Sequence, residues 1–225
     1  MSDNPSISAK QLGRRLAAAG VAVEAAQSAV LAQFVEMLLR WNKVYNLTGV
    51  RGLDEIVDRH LVESLALRPF LHGATVADVG SGGGLPGLPL AITEPGRQFT
   101  LIESRAKRVR FLRQAAIELG LANVAVAHSR AEHLRVAQPF ATVLARAVAP
   151  GHAKGAAAGL EAVNACLPLL ADSPYGHAAA AAFLAELGRA SEARRHFERA
   201  LTFARTTPKR LLMQRRLESL SSERK

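Results

Sequence analysis

The spacing of apolar residues changes twice along the chain and divides it into three regions. In residues 1–70 apolar side chains recur at every third or fourth position, which is typical of amphipathic helices. One helix is predicted around residues 31–45, and a second begins after the acidic pair Asp54-Glu55 and ends at Pro69. Their apolar positions are Leu31, Phe34, Val35, Leu38, Leu39, Trp41 and Tyr45, then Ile56, Leu61 and Leu65.

Residues 71–150 contain short apolar runs that are partly β-branched and are typical of buried strands. These runs cover residues 75–79, 99–103, 124–126 and 142–144. A helix is predicted between the second and third, with Ser104 as N-cap and Gly120 just after its end. Strands that alternate with helices at this spacing predict an α/β fold, a parallel sheet of the Rossmann-like type covered by helices.

In residues 151–225 the strand signals stop, and alanine, arginine and leucine dominate. Helices are predicted throughout this tail: one over 177–187 that stops at Gly188, one from an N-cap at Ser191 to about Ala204, and one from Thr207-Pro208. Residues 182–208 resemble one tetratricopeptide-type (TPR-like) helical hairpin. We therefore predict an N-terminal helical segment (1–70), a Rossmann-like core (71–150) and an all-helical tail (151–225).

The net charge of the chain is the most informative feature of its composition. The chain has 29 Lys and Arg against 19 Asp and Glu, a formal net charge of +10, which favours a nucleic-acid partner. The alternative is that an alanine- and arginine-rich composition reflects a biased genome. We expect a cytoplasmic protein, because no membrane-spanning run or signal peptide is seen, and no metal site or disulfide, because Cys166 is the single cysteine.

The strongest candidate for chemistry is the glycine-rich segment from Asp78 to Gly87, directly after the first predicted strand. Glycines let a backbone turn sharply and approach a ligand closely. Glu103 ends the next strand, where a doubly wound fold places an acceptor for ribose hydroxyls. The order Asp-x-Gly-x-Gly over residues 78–82 favours S-adenosylmethionine over a dinucleotide, and so disfavours an oxidoreductase. The alternative is a glycine-rich turn without any ligand.

Residues 25–150 resemble the family of ribosomal RNA small subunit methyltransferase G, also called glucose-inhibited division protein B. The resemblance is carried by Trp41 to Thr48, Arg59-His60 with Glu63-Ser64, Asp78 to Pro89, Lys107 to Leu112, Ser129 to Glu132, and Ala145 to Ala147. It implies methyl transfer from S-adenosylmethionine to N7 of a guanine in 16S rRNA of the small ribosomal subunit. A seven-stranded sheet is typical of such enzymes. Because residues 151–225 predict helices and not strands, we expect a sheet of about four parallel strands here.

The resemblance also assigns roles to residues. Gly80 and Leu85 would line the methionyl side of the cofactor, Glu103 would hold the ribose, Ala131 and Glu132 would flank the adenine, and Arg146 would position cofactor and guanine without any general base. Asp78 and Gly82 complete the expected cofactor set. The expected RNA contacts are Arg105, Lys107, Arg108, Arg110 and Arg130. For the run from 105 to 113 a solvated helix face is the alternative, for Arg146 a salt bridge, and for His60 a packed or surface histidine.

After Ala147 the family pattern is lost, and residues from about 151 resemble the helical C-terminal region of extracytoplasmic-function-type sigma factors. This departure leaves a second interpretation open, a non-catalytic interaction protein or inactive fusion whose helical tail binds a protein partner. Cofactor binding separates the two hypotheses, because the interaction protein has no need of S-adenosylmethionine. A monomer is the expected state.

Overall fold

The computed structural model describes residues 6–50, 52–145, 155–169 and 174–204, together with residues 214 and 217. The described residues form two compact units. One lies within Met1–Leu134 and Ala141–Arg146, and the other within Arg135–Phe140 and Ala147–Lys225. The three-part division of the chain stays a prediction.

The first unit is built on a parallel four-stranded sheet, as predicted. Its strands are β1 (Thr75–Val79), β2 (Gln98–Glu103), β3 (Val124–His128) and β4 (Thr142–Leu144), in the order β3-β2-β1-β4. Asp78 aligns with Leu101 of β2 and Leu144 of β4, and Glu103 aligns with His128. The strands are parallel, so their carboxyl ends share one edge of the sheet, and this edge carries the glycine-rich segment.

Helices precede and connect these strands. They are α1 (Ala9–Ala18), α2 (Ala25–Tyr45), α3 (Leu53–Glu55), α4 (Val62–Leu65), α5 (Gly87–Thr93) and α6 (Ala106–Glu118), with a π-helical turn (Ile56–Leu61) between α3 and α4. Three-residue 3₁₀ turns cover Arg68–Phe70 and Ala131–His133. The second predicted helix is therefore one helical stretch over 53–65 with a π turn inside it.

Local sequence explains where several helices begin and end. Ser8 and Gln11 form a capping box at the start of α1. Asn46 takes a left-handed conformation after α2, and Gly120 does so after α6, as its predicted role as a stop requires. The prediction of Ser104 as N-cap is wrong by one residue: Arg105 occupies that position, and its guanidinium has no acceptor with which to cap the helix. The backbone N–H of Arg105 donates to Glu103.

The core of the first unit lies where α2 packs against α1, α5 and α6, and where α6 packs against β2 and β3. Leu31, Phe34 and Leu38 of α2 are fully buried together with Phe111 and Leu112 of α6. Trp41 and Tyr45 pack at the border of this cluster and stay partly exposed. The helical periodicity thus predicted the inward face of α2 correctly.

The second unit contains α7 (Gly155–Cys166), α8 (Pro174–Glu186) and α9 (Ala190–Phe203), with a 3₁₀ turn over Leu167–Leu169. No strand occurs among its described residues 155–169 and 174–204, which confirms the helical prediction there. α8 and α9 form the predicted hairpin around Gly188, with Ala180, Ala181, Ala193 and Ala200 fully buried. Small side chains allow such close packing of two helices.

One N-cap prediction in the tail is wrong. α9 begins at Ala190 with Arg189 in the N-cap position, and the Arg189 guanidinium pairs with Glu192 at 2.7 Å, so Ser191 is already inside the helix. The helix predicted from Thr207-Pro208 lies outside the described residues. In the part of the chain that the structure describes, we find no helix with both the length and the apolar character needed to cross a bilayer.

Candidate functional site

The segment after β1 folds into a tight loop fastened to the end of β2. The backbone N–H groups of Gly80 and Ser81 both donate to the carbonyl oxygen of Ile102, at 2.8 and 3.2 Å. The N–H of Gly84 donates to the carbonyl of Ser81 at 2.7 Å. Gly80, Gly82 and Gly84 have φ values of +73°, +55° and +78°, which favour glycine strongly. The loop therefore requires glycines at these three positions, because its backbone has positive φ values there.

The glycines of this loop nevertheless differ in what surrounds them. A β-carbon at Gly80 would meet nothing within 4 Å, so this exposed position borders open space. A β-carbon at Gly84 would overlap the side chain of Leu88, and one at Gly87 would overlap Leu101 and the carboxylate of Asp78. Gly84 and Gly87 thus serve packing, whereas Gly80 leaves a bare backbone beside free volume. Such a cradle fits a ligand that lies across the loop.

Asp78 holds the loop from inside. Its side chain is 1% exposed, and Oδ2 accepts a hydrogen bond from the N–H of Gly87 at 3.1 Å, at the start of α5. The carbonyl oxygen of Asp78 accepts the hydroxyl of Ser81 at 2.7 Å. Leu85 is also buried and packs in the main core cluster. The described contacts of both residues are structural, and their predicted contact with the cofactor stays a prediction.

Glu103 connects the end of β2 to the loop. Its carboxylate is 4% exposed, Oε2 accepts the N–H of Gly82 at 3.1 Å, and Oε1 accepts the N–H of Arg105 at 2.9 Å. The guanidinium of Arg108 lies 3.5 Å from Oε2. An ionised carboxylate offers about four acceptor positions, and the two backbone donors use two of them. The structure thus brings together the two features that the sequence singled out separately.

Ala131 and Glu132 lie in the 3₁₀ turn that follows β3, at the same sheet edge. The N–H of Ser129, just before this turn, donates to the carbonyl oxygen of Glu103 at 3.1 Å. Ala131 is buried, while Glu132 is exposed. Arg146, the predicted positioning residue, lies outside the described residues.

The predicted RNA-contact residues divide into two kinds. Arg105, Lys107, Arg110 and Arg130 are exposed, as is Arg113. On α6, Val109 and Leu112 point into the core, so the cations occupy the solvent side. Arg108 differs, because its side chain is only 29% exposed and pairs with Glu103.

Sequence reasoning missed a buried polar network beside the loop. The Nε2 atom of His60, which is buried, lies 2.8 Å from Oγ1 of Thr48, and Asn42 accepts the N–H of Thr48 at 2.9 Å. Asn42 also donates to the carbonyl of Val50 at 2.8 Å. His60 is therefore a packed histidine and not a surface one. The spacing of Asn42 and Thr48 on either side of a helix end was the available signal.

Comparison with known proteins finds a matching family over the residues that contain this site. A family model described as rRNA small subunit methyltransferase G matches residues 27–158, more than half of the chain. A ribosomal RNA small subunit methyltransferase G of Pseudomonas entomophila is 48% identical over 130 residues, 57% of this chain and 60% of the relative. The same enzyme of Pectobacterium carotovorum is 47% identical over 141 residues, 63% and 68% of the two chains.

A third relative of the same name, from Pseudomonas aeruginosa, is 46% identical over 140 residues, 62% of this chain and 65% of the relative. The chain thus spans 60–68% of the length of these curated relatives. The family model ends at residue 158, so the resemblance of the tail to sigma factors stays a prediction.

Proposed function

The chain belongs to the rRNA small subunit methyltransferase G family, and from this premise we propose that it methylates N7 of a guanine in the 16S rRNA of the small ribosomal subunit. S-adenosylmethionine is the proposed methyl donor, and the cytoplasm is the proposed location. The observation that carries the proposal is the hydrogen bond from Gly82 to the buried carboxylate of Glu103, which makes the glycine loop and the acidic strand end one site.

The proposed cofactor set is the one named from the sequence. The open volume at Gly80 accommodates the methionyl part, and Glu103 has acceptor capacity for the ribose. Asp78 and Gly82 shape the loop, Leu85 and Ala131 supply apolar walls, and Glu132 lies beside Ala131. Bound in this way, S-adenosylmethionine supplies an electrophilic methyl group on a sulfonium.

The proposed methyl transfer requires little proton transfer by the protein. Guanine N7 carries a free lone pair, so no general base has to remove a proton. The chain's own residues therefore act by orienting the substrates and by excluding water. Arg146 is the proposed contact to the acceptor edge of guanine, since N7 and O6 are neighbouring acceptors for an arginine.

A basic surface at the same sheet edge supports rRNA as the substrate. Lys107 and Arg110 are exposed on α6, Arg105 is exposed at its N-cap, and Arg130 is exposed next to the 3₁₀ turn after β3. Exposed cations bind phosphates without reading sequence, which suits a substrate held mainly by its backbone. The formal net charge of +10 acts in the same direction.

The proposal is tested with wild type and Glu103→Gln, which keeps the shape of the side chain but removes its charge. Calorimetric titration with S-adenosylhomocysteine measures binding. Transfer of radiolabelled methyl groups to small ribosomal subunits measures activity, and strand scission specific for 7-methylguanine locates the product. We expect wild type to bind and to label a guanine, and Glu103→Gln to bind about tenfold or more weakly, the loss that one hydrogen bond to a charged group produces.

Absence of binding by wild type would contradict the proposal and favour a non-catalytic interaction protein. The helical tail is the element that this second function would use, since α7, α8 and α9 share a core cluster of Leu160, Ala180, Phe183, Leu184 and Ala193. Binding of the cofactor without any methyl transfer would instead indicate an inactive fusion.

A further inference from the structure

We propose that Arg108 is a positioning residue of the cofactor site, which holds the carboxylate of Glu103 against the glycine loop, and that it is not an RNA contact. The inference rests on the proposed function and deepens it. It separates one arginine from the run over residues 105–113, in which sequence alone treats every cation alike.

Three structural elements meet at one atom, Oε2 of Glu103. Glu103 is the last residue of β2, and its Oε2 accepts the N–H of Gly82 from the loop at 3.1 Å and lies 3.5 Å from Nη1 of Arg108 on α6. The same Nη1 atom would lie 3.8 Å from a β-carbon placed on Gly82. The guanidinium therefore lies beside both the carboxylate and the loop.

The start of α6 fixes this arrangement through its backbone. The N–H of Arg105 donates to Oε1 of Glu103 at 2.9 Å, and the N–H of Arg108 donates to the carbonyl of Arg105 at 2.9 Å. Both oxygens of the carboxylate are thus contacted from the first turn of α6. A change at Arg108 removes the side-chain contact and leaves the backbone contact intact.

Burial gives the ion pair its importance. A carboxylate that is 4% exposed needs hydrogen bonds and a counter-ion, because burial of an uncompensated charge is costly. Among the residues that the structure describes, Arg108 is the cation paired with Glu103. Arg110 and Lys107 are exposed on the same helix and are available to a polyanion, whereas the guanidinium of Arg108 is directed to the protein.

The experiment is a double-mutant cycle on the full chain, with Arg108→Gln, Glu103→Gln and the double variant, each titrated calorimetrically with S-adenosylhomocysteine. We expect Arg108→Gln to weaken binding about tenfold, since a buried charge loses its partner. Because Arg108 acts through Glu103, the double variant should bind no more weakly than Glu103→Gln alone. Arg108→Lys keeps a positive charge and should recover part of the affinity.

Arg14→Gln, an exposed arginine on α1, is the control and should bind S-adenosylhomocysteine like wild type. Affinity of the variants for small-subunit rRNA is measured in parallel, and Arg108→Gln should leave it unchanged. If Arg108→Gln binds S-adenosylhomocysteine with wild-type affinity, the inference is overturned. It is also overturned if the loss of affinity in the double variant equals the product of the two single losses. If Arg108→Gln does not fold, the same cycle is carried out with Arg108→Lys in its place, and its result decides whether Arg108 acts through Glu103. Failure of wild type to bind would instead overturn the proposed function.

Discussion

Thr48 and His60 lie 2.8 Å apart, Oγ1 to Nε2, and this contact connects the loop after α2 to the π-helical turn. The hydroxyl of Thr48 also accepts the N–H of Val50 at 3.2 Å. Leu47, next to Thr48, packs under the glycine loop, because a β-carbon on Gly83 would lie 3.4 Å from that of Leu47. The buried histidine therefore stabilises the segment that supports the candidate cofactor loop.

We expect His60→Ala to lower the free energy of unfolding by about 1–3 kcal/mol, because it leaves buried polar groups without a partner. Urea denaturation followed by the fluorescence of Trp41 measures this change. His72→Ala, at an exposed histidine, is the control and should shift stability by no more than about 0.5 kcal/mol. Equal effects of the two substitutions would show that the network is unimportant.

Gly80 and Gly20 offer a matched pair. Both have left-handed φ values, +73° and +78°, and a β-carbon at either would meet nothing within 4 Å. Alanine at each should therefore cost a similar strain of about 1–2 kcal/mol. We expect only Gly80→Ala to weaken the binding of S-adenosylhomocysteine in calorimetric titration, because only there does the alanine methyl group enter the proposed ligand volume. Unchanged affinity in Gly80→Ala would remove Gly80 from the site.

Gly87 tests the packing role of the same segment. A β-carbon there would lie 2.6 Å from Oδ2 of Asp78 and would also overlap Leu101. We expect Gly87→Ala to destabilise the fold by about 1–3 kcal/mol, as overpacking of a core does. Gly96→Ala is the control, because its methyl group would meet nothing within 4 Å. Thermal denaturation should give a melting temperature close to that of wild type for this variant. A melting temperature like that of wild type in Gly87→Ala would contradict the packing assignment.

Sequence predicted the sheet well because buried parallel strands leave a simple signal, short apolar runs bounded by polar residues. It also identified Gly80 and Glu103, since a glycine turn and an acidic strand end follow from the fold. It did not distinguish Arg108 from Arg110, because both are arginines on one helix and only the tertiary position of Glu103 separates them. The network around His60 was missed for a similar reason, as its partners come from separate elements.

The exposed cations of α6 predict how binding of rRNA depends on salt. We expect Lys107→Gln and Arg110→Gln each to weaken binding and to reduce the slope of log affinity against log salt by about 0.7–0.9, the value for one lost phosphate contact. Filter binding with small-subunit rRNA over a range of salt concentrations measures the slope. Lys10→Gln, on the exposed side of α1, is the control. A slope unchanged in all variants would support a merely solvated helix face.

The hairpin of α8 and α9 carries a pair of neighbouring histidines, and protonation of one of them, His196, affects its stability. Nδ1 of His177 lies 3.2 Å from Nδ1 of His196, and the ring of His177 stacks on Phe203. Burial lowers the pKa of His196 below its ordinary value of 6.5, and Arg199 and Arg195 act in the same direction against the opposing effect of Glu192. The folded hairpin therefore holds His196 neutral where an unfolded chain would begin to protonate it.

A lowered folded pKa means that the unfolded chain binds more protons as the pH falls below 6.5. This contribution to stability is complete above that pH and is lost below it. We expect amide hydrogen exchange in α8 and α9, corrected for its intrinsic pH dependence, to show weaker protection on the acidic side of 6.5. His196→Gln should flatten this dependence, while His133→Gln, at an exposed histidine, should preserve it. Protection that does not change with pH in wild type would show that His196 carries no proton-linked stability.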